Sequence, residues 1–481
     1  MRFSRTNKTH KTTNLAGGKA YVQTSKTELA TTILTSFLKD QFYRSANESI
    51  ERIDAMISNE KDKKFVAKLA VYARNVYGMR SVSHLIASRI GKQVKGEQWT
   101  KTFFDKVVKR PDDAVEIVAC YGHNYDFTIP NSMKKGLGDA LSRMSSYQLT
   151  KYRCENREVK LVDVVNICHP KNTEALKALI KGELTNTGNT WEAELSAAGQ
   201  EAESDDNLKD LKADAWKRLI EEGKLGYFAL LRNLCNIAND APDAVPAICS
   251  QLVNREAIKK SLVLPFRFIQ ASAAVSQRVE KASDKRLILQ SIAKAIDLTL
   301  DNVPSFDGDT LVVLDDSGSM TSGEEGKTPA DIGALFAAAI AKKNNSDLMR
   351  FSDQASYLEY NPDDTLSTIT KTIRQRFISG GTNFHSIFEC ANKKYDRVII
   401  LSDMQGWMGG NQPTDTFNAW KKQYSADPKV YSFDLAGYGT LQFPENNVFL
   451  LAGFSDKTLD IMKLLEADKN ALINEIEKIE L

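Results

Sequence analysis

Two rhythms of apolar residues run along this chain, and one gives way to the other near Thr310. From about residue 28 to 300, apolar residues return at the three-and-four spacing of a helix face. Examples are Ala30, Ile33, Leu34, Phe37 and Leu38, then Phe65, Leu69, Tyr72, Ala73 and Val76, then Val245, Ile248 and Leu252. Gly91, the Arg110-Pro111 step, Asn131 and His169-Pro170 punctuate these pieces, and strand-like alternation is scarce. Consecutive amphipathic helices with short turns predict an α-solenoid of stacked helix pairs, with degenerate repeats because no strict period shows. The polar, acidic stretch 185–210 predicts a long excursion between helices.

After Thr310 the pattern changes. TLVVLDD (310–316) predicts a buried strand ending in carboxylates, and Ala330–Lys343 an Ala-rich helix. Strands follow over Asp347–Phe351 and Ala355–Tyr360, a helix over Asp363–Phe377 and a strand over Arg397–Leu401. A helix over Thr414–Tyr424, strands over Val430–Leu435 and Val448–Leu451, and a helix from about Lys457 complete the pattern. Strands alternating with helices predict a parallel doubly wound sheet, which binds ligands beyond the carboxyl ends of its strands. The expected organisation is therefore α plus α/β: a helical-repeat domain over residues 1–300 and a doubly wound domain over 301–481.

Composition narrows the class. A chain of 481 residues suggests two to four domains at roughly 100–200 residues each. No run approaches the ~18 apolar residues of a membrane helix. The amino terminus, MRFSRTNKTHKTTN, is basic and polar and lacks the apolar core of a secretory signal. Six scattered cysteines without a Cys-x-x-Cys pair fit a reducing compartment. A soluble, cytoplasmic protein without membrane contact is expected. Residues 1–300 carry 47 Lys and Arg against 35 Asp and Glu, and residues 301–481 carry 17 against 27. Within residues 1–110 the count is 22 against 9. Segregation on this scale favours a polyanionic partner for the first half.

The chemistry of the second half sits at predicted strand ends. Asp315-x-Ser317-x-Ser319 follows the first strand, Gly380-Gly381-Thr382-Asn383 opens a loop, and Asp403 closes the strand RVIIL. Three hydroxyls and two carboxylates from three loops suit a hard cation. We expect one divalent ion, Mg²⁺ first, with Mn²⁺ or Ca²⁺ as alternatives, and two glycines to let Thr382 reach inward. A rival reading places a phosphate-binding loop at Gly323–Thr328, but Thr321 stands where that motif needs glycine, and Glu324 and Glu325 would repel phosphate. Pro329 instead fits the first turn of a helix. The five histidines show no metal-protease spacing, and no Gly-x-Ser-x-Gly elbow accompanies Ser319 and His385, so no catalytic set emerges. His385 is expected to start a helix.

The oxygen set resembles the metal-ion-dependent adhesion site of von Willebrand factor A domains. That resemblance implies direct ligation by Ser317, Ser319 and Thr382, water-mediated roles for Asp315 and Asp403, and an open position for an acidic ligand. Segments of the first half resemble the Ro autoantigen family, defined by the TROVE domain. They are NLAGGKAY (14–21), MKKGLGDALSRMSSYQLTKYR (133–153), VKLVDVVNICHPK (159–171), TWEAELSAAG (190–199), GYFALLRNLCNI (226–237) and LVLPFRFIQA (262–271). TWEAELSAAG and GYFALLRNLCNI resemble bacterial-type members in particular. The family implies a ring-like solenoid of HEAT-like repeats closed by the A domain, and a monomer is expected. It also implies binding of small structured noncoding (Y-like) RNAs on the outer surface and of single-stranded ends of misfolded RNAs in the central hole. An exoribonuclease tethered through the RNA is a further implied partner.

Lys151 and His169 fall at RNA-contacting positions of that family. The second basic position of that surface falls near Glu155 and Asn156, and Arg153 or Arg157 would substitute. Lys134, Lys135 and Arg143 precede them, and Lys135, Arg143 and Lys151 would share one helical face if their helix continues. The expectation is an RNA-binding ribonucleoprotein subunit in RNA quality control or processing, without catalysis. The competing expectation is a protein-binding scaffold acting through the metal.

Overall fold

The computed structural model describes residues 10–22, 25–35, 46–184, 191–261, 263, 265–322, 328–409, 413–436, 438, 440–443, 447–452, 462, 465, 466, 468 and 470–481. These residues group into two compact units. One comprises residues 46–194 with 470–481; the other comprises residues 1–35 with 195–469. The 1–300/301–481 division follows the change from helices to sheet, whereas compactness divides the chain elsewhere.

The unit of residues 46–194 is helical. Its inner helices are buried on most of their circumference: Lys63–Asn75 buries Phe65, Val66, Ala67 and Leu69 through Arg74, and Ser81–Gln93 buries every residue from Val82 to Gly91. Asp62 caps that helix by accepting from Phe65 N–H at 3.0 Å. At the centre of the unit lies Asp113, fully buried on the helix Pro111–Asn124. It accepts from Arg74, Arg80 and His84 and from the backbone N–H of Lys109 and Arg110. The terminal helix Ala471–Glu477 joins this unit: Lys68 Nζ lies 3.1 Å from Glu477 Oε2, and Lys106 Nζ donates to Glu480 O at 2.8 Å.

The other unit holds the sheet. Its strands are β1 (His10–Thr13), β2 (Lys19–Val22), β3 (Thr310–Asp315), β4 (Asp347–Phe351), β5 (Ala355–Tyr357), β6 (Arg397–Ser402), β7 (Lys429–Asp434) and β8 (Val448–Ala452). Six of them form one sheet in the order β5-β4-β3-β6-β7-β8, parallel except for the antiparallel edge pair β4–β5. Every residue of β3 and β6 is buried, as strands covered on both faces must be. The helix Pro329–Asn344 starts as the proline suggests: Thr328 caps it, and Asp331 returns the hydrogen bond at 3.0 Å.

Three expectations change. The stretch 185–210 is not an excursion throughout, because helices occupy Trp191–Glu201 and Asp205–Glu221. Ser204 caps the second, whose buried face, Ala215, Trp216, Leu219 and Ile220, lies beyond residue 210. Residues 185–190 lie outside the described residues. The helix expected to carry Lys135, Arg143 and Lys151 on one face ends at Ser142, and a new helix begins at Ser146, capped by Ser145. Finally, β1 and β2 form a hairpin that periodicity did not reveal, each strand being only four residues long.

Candidate metal centre and nucleic-acid interface

The sheet brings Asp315, Ser317, Ser319 and Asp403 together, and backbone hydrogen bonds hold the loop of Thr382 beside them. Asp315 ends β3, and the register sets Leu314 beside Leu401, so Ser402 and Asp403 emerge next to Asp315. Ser402 Oγ donates to Asp315 Oδ2 at 2.5 Å, and Ser317 N–H donates to Asp315 Oδ1 at 2.9 Å. The hydroxyls of Ser317 and Ser319 lie 3.3 Å apart, and Ser319 also hydrogen-bonds Asp403. The Thr382 loop is stitched to its neighbours by Gly318 N–H to Gly380 O at 3.0 Å and by Trp407 N–H to Thr382 O at 3.2 Å. All five residues are buried, and the Thr382 hydroxyl makes no hydrogen bond among the described residues. Gly380 and Gly381 serve close approach: a Cβ on either would lie within 3 Å of the Asp353 carboxylate. The positive φ of that loop belongs to Ser379.

Electrostatics favour a cation here. Burial, and then the negative charge of Asp403, push the Asp315 carboxyl above the usual carboxylate range. Burial, with Asp434 adding repulsion, does the same to Asp403. A divalent ion among these oxygens would remove that penalty. Among the described residues no three or more His, Cys, Asp or Glu side chains gather into a group that could hold a metal ion, so any site here depends on the hydroxyls. The donors are hydroxyl and carboxylate oxygens, which fit Mg²⁺ chemistry.

Sequence reading missed the scaffolding around these residues. Gln405 N–H donates to Asp403 Oδ1 at 3.1 Å, and the Gln405 amide donates to Thr440 Oγ1 at 3.1 Å. The hairpin β1–β2 clasps the same loop. Asn14 Nδ2 donates to Gly406 O at 2.7 Å, Leu15 N–H donates to Gln405 Oε1 at 2.7 Å, and Tyr21 exchanges backbone hydrogen bonds with Leu441. Gly17, at φ +84°, makes the turn, and Gly18 lies so close that a Cβ would stand 1.9 Å from Gly406 O. The Gly-Gly pair at 17–18 was the signal in the sequence. Of the segment 323–328 in the rival phosphate-binding reading, residues 323–327 lie outside the described residues. His385 starts the helix His385–Cys390, and its Nδ1 lies 2.8 Å from Thr416 Oγ1.

The predicted nucleic-acid residues lie in the helical unit. Lys134 and Lys135 are on the helix Asn131–Ser142, which Arg143 caps; Lys151 ends the helix Ser146–Lys151; His169 caps the helix Leu161–Cys168 at φ +48°. The structure draws the end of the last helix to the first: Lys171 N–H donates to Ser142 Oγ at 2.9 Å, and Lys134 lies near enough to Cys168 to oppose the rise that burial causes in its thiol pKa. Acids hold three of the predicted cations. Arg143 pairs with Asp105, Lys151 Nζ lies 3.9 Å from Glu192, and Arg153 Nη1 lies 3.2 Å from Glu155. Such exposed pairs are worth little and give way readily to a phosphate. Lys134, Lys135, Lys171 and His169 have no acidic partner among the described residues; Lys171 was not singled out from sequence. Beside Lys151 opens a recess of about 400 Å³, lined by Lys151, Arg153, Cys154, Glu155, Asn156 and Arg157. Two guanidinium nitrogens of Arg153, Nε and Nη2, are buried without partners. Orphaned donors on a cation are a ready anion site.

The TROVE domain model matches residues 23–183 and 184–346, and the Ro60 vWA domain model matches residues 310–465. The chain belongs to the TROVE-domain family. The RNA-binding protein RO60 of Deinococcus radiodurans is 26% identical to this TROVE chain over 237 residues, 45% of this chain and 44% of that protein. Telomerase protein component 1 of Mus musculus is 33% identical over 90 residues, 18% of this chain and 3% of that protein. The aligned part thus spans less than half the length of these curated relatives. The crystal structure of Deinococcus radiodurans RO (RSR) protein superposes with a TM-score of 0.62 at 16% identity, covering 94% of this chain and 99% of that one. That likeness shows that the two chains share a fold.

Proposed function

We propose that this chain is an RNA-binding subunit of a ribonucleoprotein, acting without catalysis on small structured Y-like noncoding RNAs and on ends of misfolded RNAs. Family membership and the name of the Deinococcus relative support the reading. The structural observation that carries it is the cationic region of the helical unit, where Lys134, Lys135, Lys171 and His169 lack acidic partners among the described residues and Arg153 keeps two orphaned nitrogens. Phosphates would neutralise these charges and release counterions. His169, held by the left-handed cap, offers a ring to a phosphate or base edge. Quality control or processing in the cytoplasm, and an exoribonuclease held through the RNA, complete the proposal.

The candidate metal centre belongs to the same reading. Ser317, Ser319 and Thr382 would hold the ion directly, with Asp315 and Asp403 balancing its charge. When bound, the ion supplies a positive centre for a ligand's carboxylate or phosphate. One observation favours a second reading, a protein-binding scaffold. Ile378 and Trp407, on the loops around this centre, are 63% and 53% exposed and offer an apolar rim to an acidic peptide.

The test is crosslinking in the cell of origin followed by sequencing of the bound RNA. Enrichment of short structured RNAs supports the first reading. Recovery of protein partners alone, dependent on Asp315 and Ser317, supports the second.

A further inference from the structure

The buried carboxylates at the centre of the helical unit reach the loop of the predicted RNA-binding residues through one arginine. Arg80 joins two acids at the start of the helix Pro111–Asn124: its Nη2 donates to Asp112 Oδ2 at 2.6 Å and its Nε to Asp113 Oδ1 at 3.1 Å. Asp112 is buried. It also accepts a forked pair from Arg110, whose Nε donates to Oδ1 at 2.9 Å and whose Nη2 donates to Oδ2. The Arg110 guanidinium lies over the Tyr152 ring, 4.5 Å from its centroid. Tyr152, half-buried, caps the helix Ser146–Lys151 and stands between Lys151 and Arg153 in the chain. Two residues on, Cys154 turns the backbone at φ +57°. It lies against the same charges: burial raises its thiol pKa most, Asp112 raises it further, and Arg80 and Arg110 oppose the rise. Leu161 N–H closes the loop by donating to Arg153 O at 3.0 Å.

We propose that Arg110 and Tyr152 are positioning residues of the RNA surface. They seat the loop 151–157 so that Lys151 and Arg153 stand together beside the recess that both line. The proposal rests on the RNA-binding reading above and adds two residues that act through others rather than by touching RNA. Three features separate this role from a direct contact. Asp112 occupies both Nε and Nη2 of Arg110, so that arginine's charge is matched inside the protein before any phosphate arrives. A planar guanidinium stacked on a ring fixes the plane of the ring, and the buried Asp112 fixes the guanidinium, so the pose of Tyr152 is set from the core outward. A left-handed residue other than glycine persists where its surroundings over-determine it, and the surroundings of Cys154 include this same pair of charges. The loop is therefore held in one pose in the free protein, and its cations need no ordering when a phosphate binds.

The test is a double-mutant cycle on the full chain, read by filter binding of a small RNA hairpin at low salt. Tyr152→Leu removes the ring face and is expected to weaken binding about 2- to 30-fold, the range for one cation–π contact from exposed to desolvated. Tyr152→Phe keeps the face and should recover most of that loss, since the Tyr152 hydroxyl makes no hydrogen bond among the described residues. Arg110→Lys keeps the charge but loses the forked pair and the flat stack. It should fall in the same range, and it replaces Tyr152→Leu in the cycle if that variant does not fold. The deciding arm is a background of Lys151→Ala with Arg153→Gln. There Tyr152→Leu should cost less than about twofold more, because the residues it positions are gone. An equal loss in both backgrounds would overturn the proposal, since Tyr152 and Arg110 would then touch RNA themselves or hold the fold at large. Wild-type affinity in both Tyr152→Leu and Arg110→Lys would overturn it too, while hairpin binding still upheld the RNA reading. Failure of the wild type to bind the hairpin at all would overturn both.

Discussion

The clasp between the amino-terminal hairpin and the candidate metal centre makes a quantitative prediction. In Gly18→Ala, the new methyl would stand 1.9 Å from Gly406 O, 2.9 Å from Gly406 C and 3.0 Å from Trp407 Cα, all backbone atoms that cannot rotate away. Ordinary contact begins at 3.4 Å, so hairpin and loop must part by roughly 1.5 Å. Overpacking on this scale costs about 1–3 kcal/mol. The same movement breaks the 2.7 Å bond from Asn14 Nδ2 to Gly406 O, at about 0.5–1.5 kcal/mol. The expected loss is about 1.5–4.5 kcal/mol, read from urea denaturation as a lower midpoint at unchanged slope. Because the displaced loop also carries the partners of Asp403 and Thr382, calorimetry should show Mn²⁺ affinity falling about tenfold or more, equivalent to about 1.4 kcal/mol of that disturbance. Gly17→Ala is the control. Nothing lies within 4 Å of its Cβ, but its φ of +84° strains any other residue, so it should cost about 1–2 kcal/mol and spare the metal affinity. Wild-type stability and Mn²⁺ affinity in Gly18→Ala would refute the idea that the hairpin positions this loop.

Further predictions follow from the same structure. Asp315→Ala with Ser317→Ala should abolish Mn²⁺ binding by the full chain while leaving its circular dichroism unchanged. The carboxyls of Asp315 and Asp403 have folded pKa values above their unfolded ones, so metal-free protein should lose stability as pH rises from the ordinary carboxylate range through those values, and Mg²⁺ should stabilise more at the upper end; thermal melts with and without Mg²⁺ across pH check the sign. Burial alone would raise the Asp113 carboxyl, but hydrogen bonds from His84 and Arg74 outweigh it and hold it well below the usual range. Its contribution should therefore be present above the unfolded pKa near 4 and fade as pH falls through the folded one, and Asp113→Asn should cost about 3–5 kcal/mol by leaving buried arginine charge unmatched. Steady ATP turnover by the purified chain would contradict the non-catalytic reading.

How far the sequence revealed this architecture depended on the range of the interactions involved. The runs at β3, β6 and β7 announce a sheet buried on both faces, and Asp315 and Asp403 close two of those runs. Their adjacency follows from strand topology, so the placement of these two carboxylates was legible. The clasp was not: Asn14 and Gly406 are separated by 392 positions, and no periodicity links a hairpin of four-residue strands to its target. The helical face proposed for Lys135, Arg143 and Lys151 failed locally, because Ser145 is a good cap and the chain restarts there. The acids that hold Arg143 and Lys151 come from Asp105 and Glu192, a contact pattern that charge counts cannot show. Helices were hidden within 185–210 because that stretch is polar and acidic, and the apolar residues that anchor the helix Asp205–Glu221, Trp216 and Leu219 among them, lie beyond its end.

The central claim is that the helical unit binds RNA through its unmatched cations, and a salt series tests it most directly. Filter binding of a small hairpin RNA to the full chain should give a log–log plot that falls steeply with salt, because released counterions drive association. Replacing Lys134, Lys135 and Lys171 together by Ala should make that slope shallower by up to about three phosphate contacts, at ~0.7–0.9 each. A triple variant with the wild-type affinity and slope would contradict the claim.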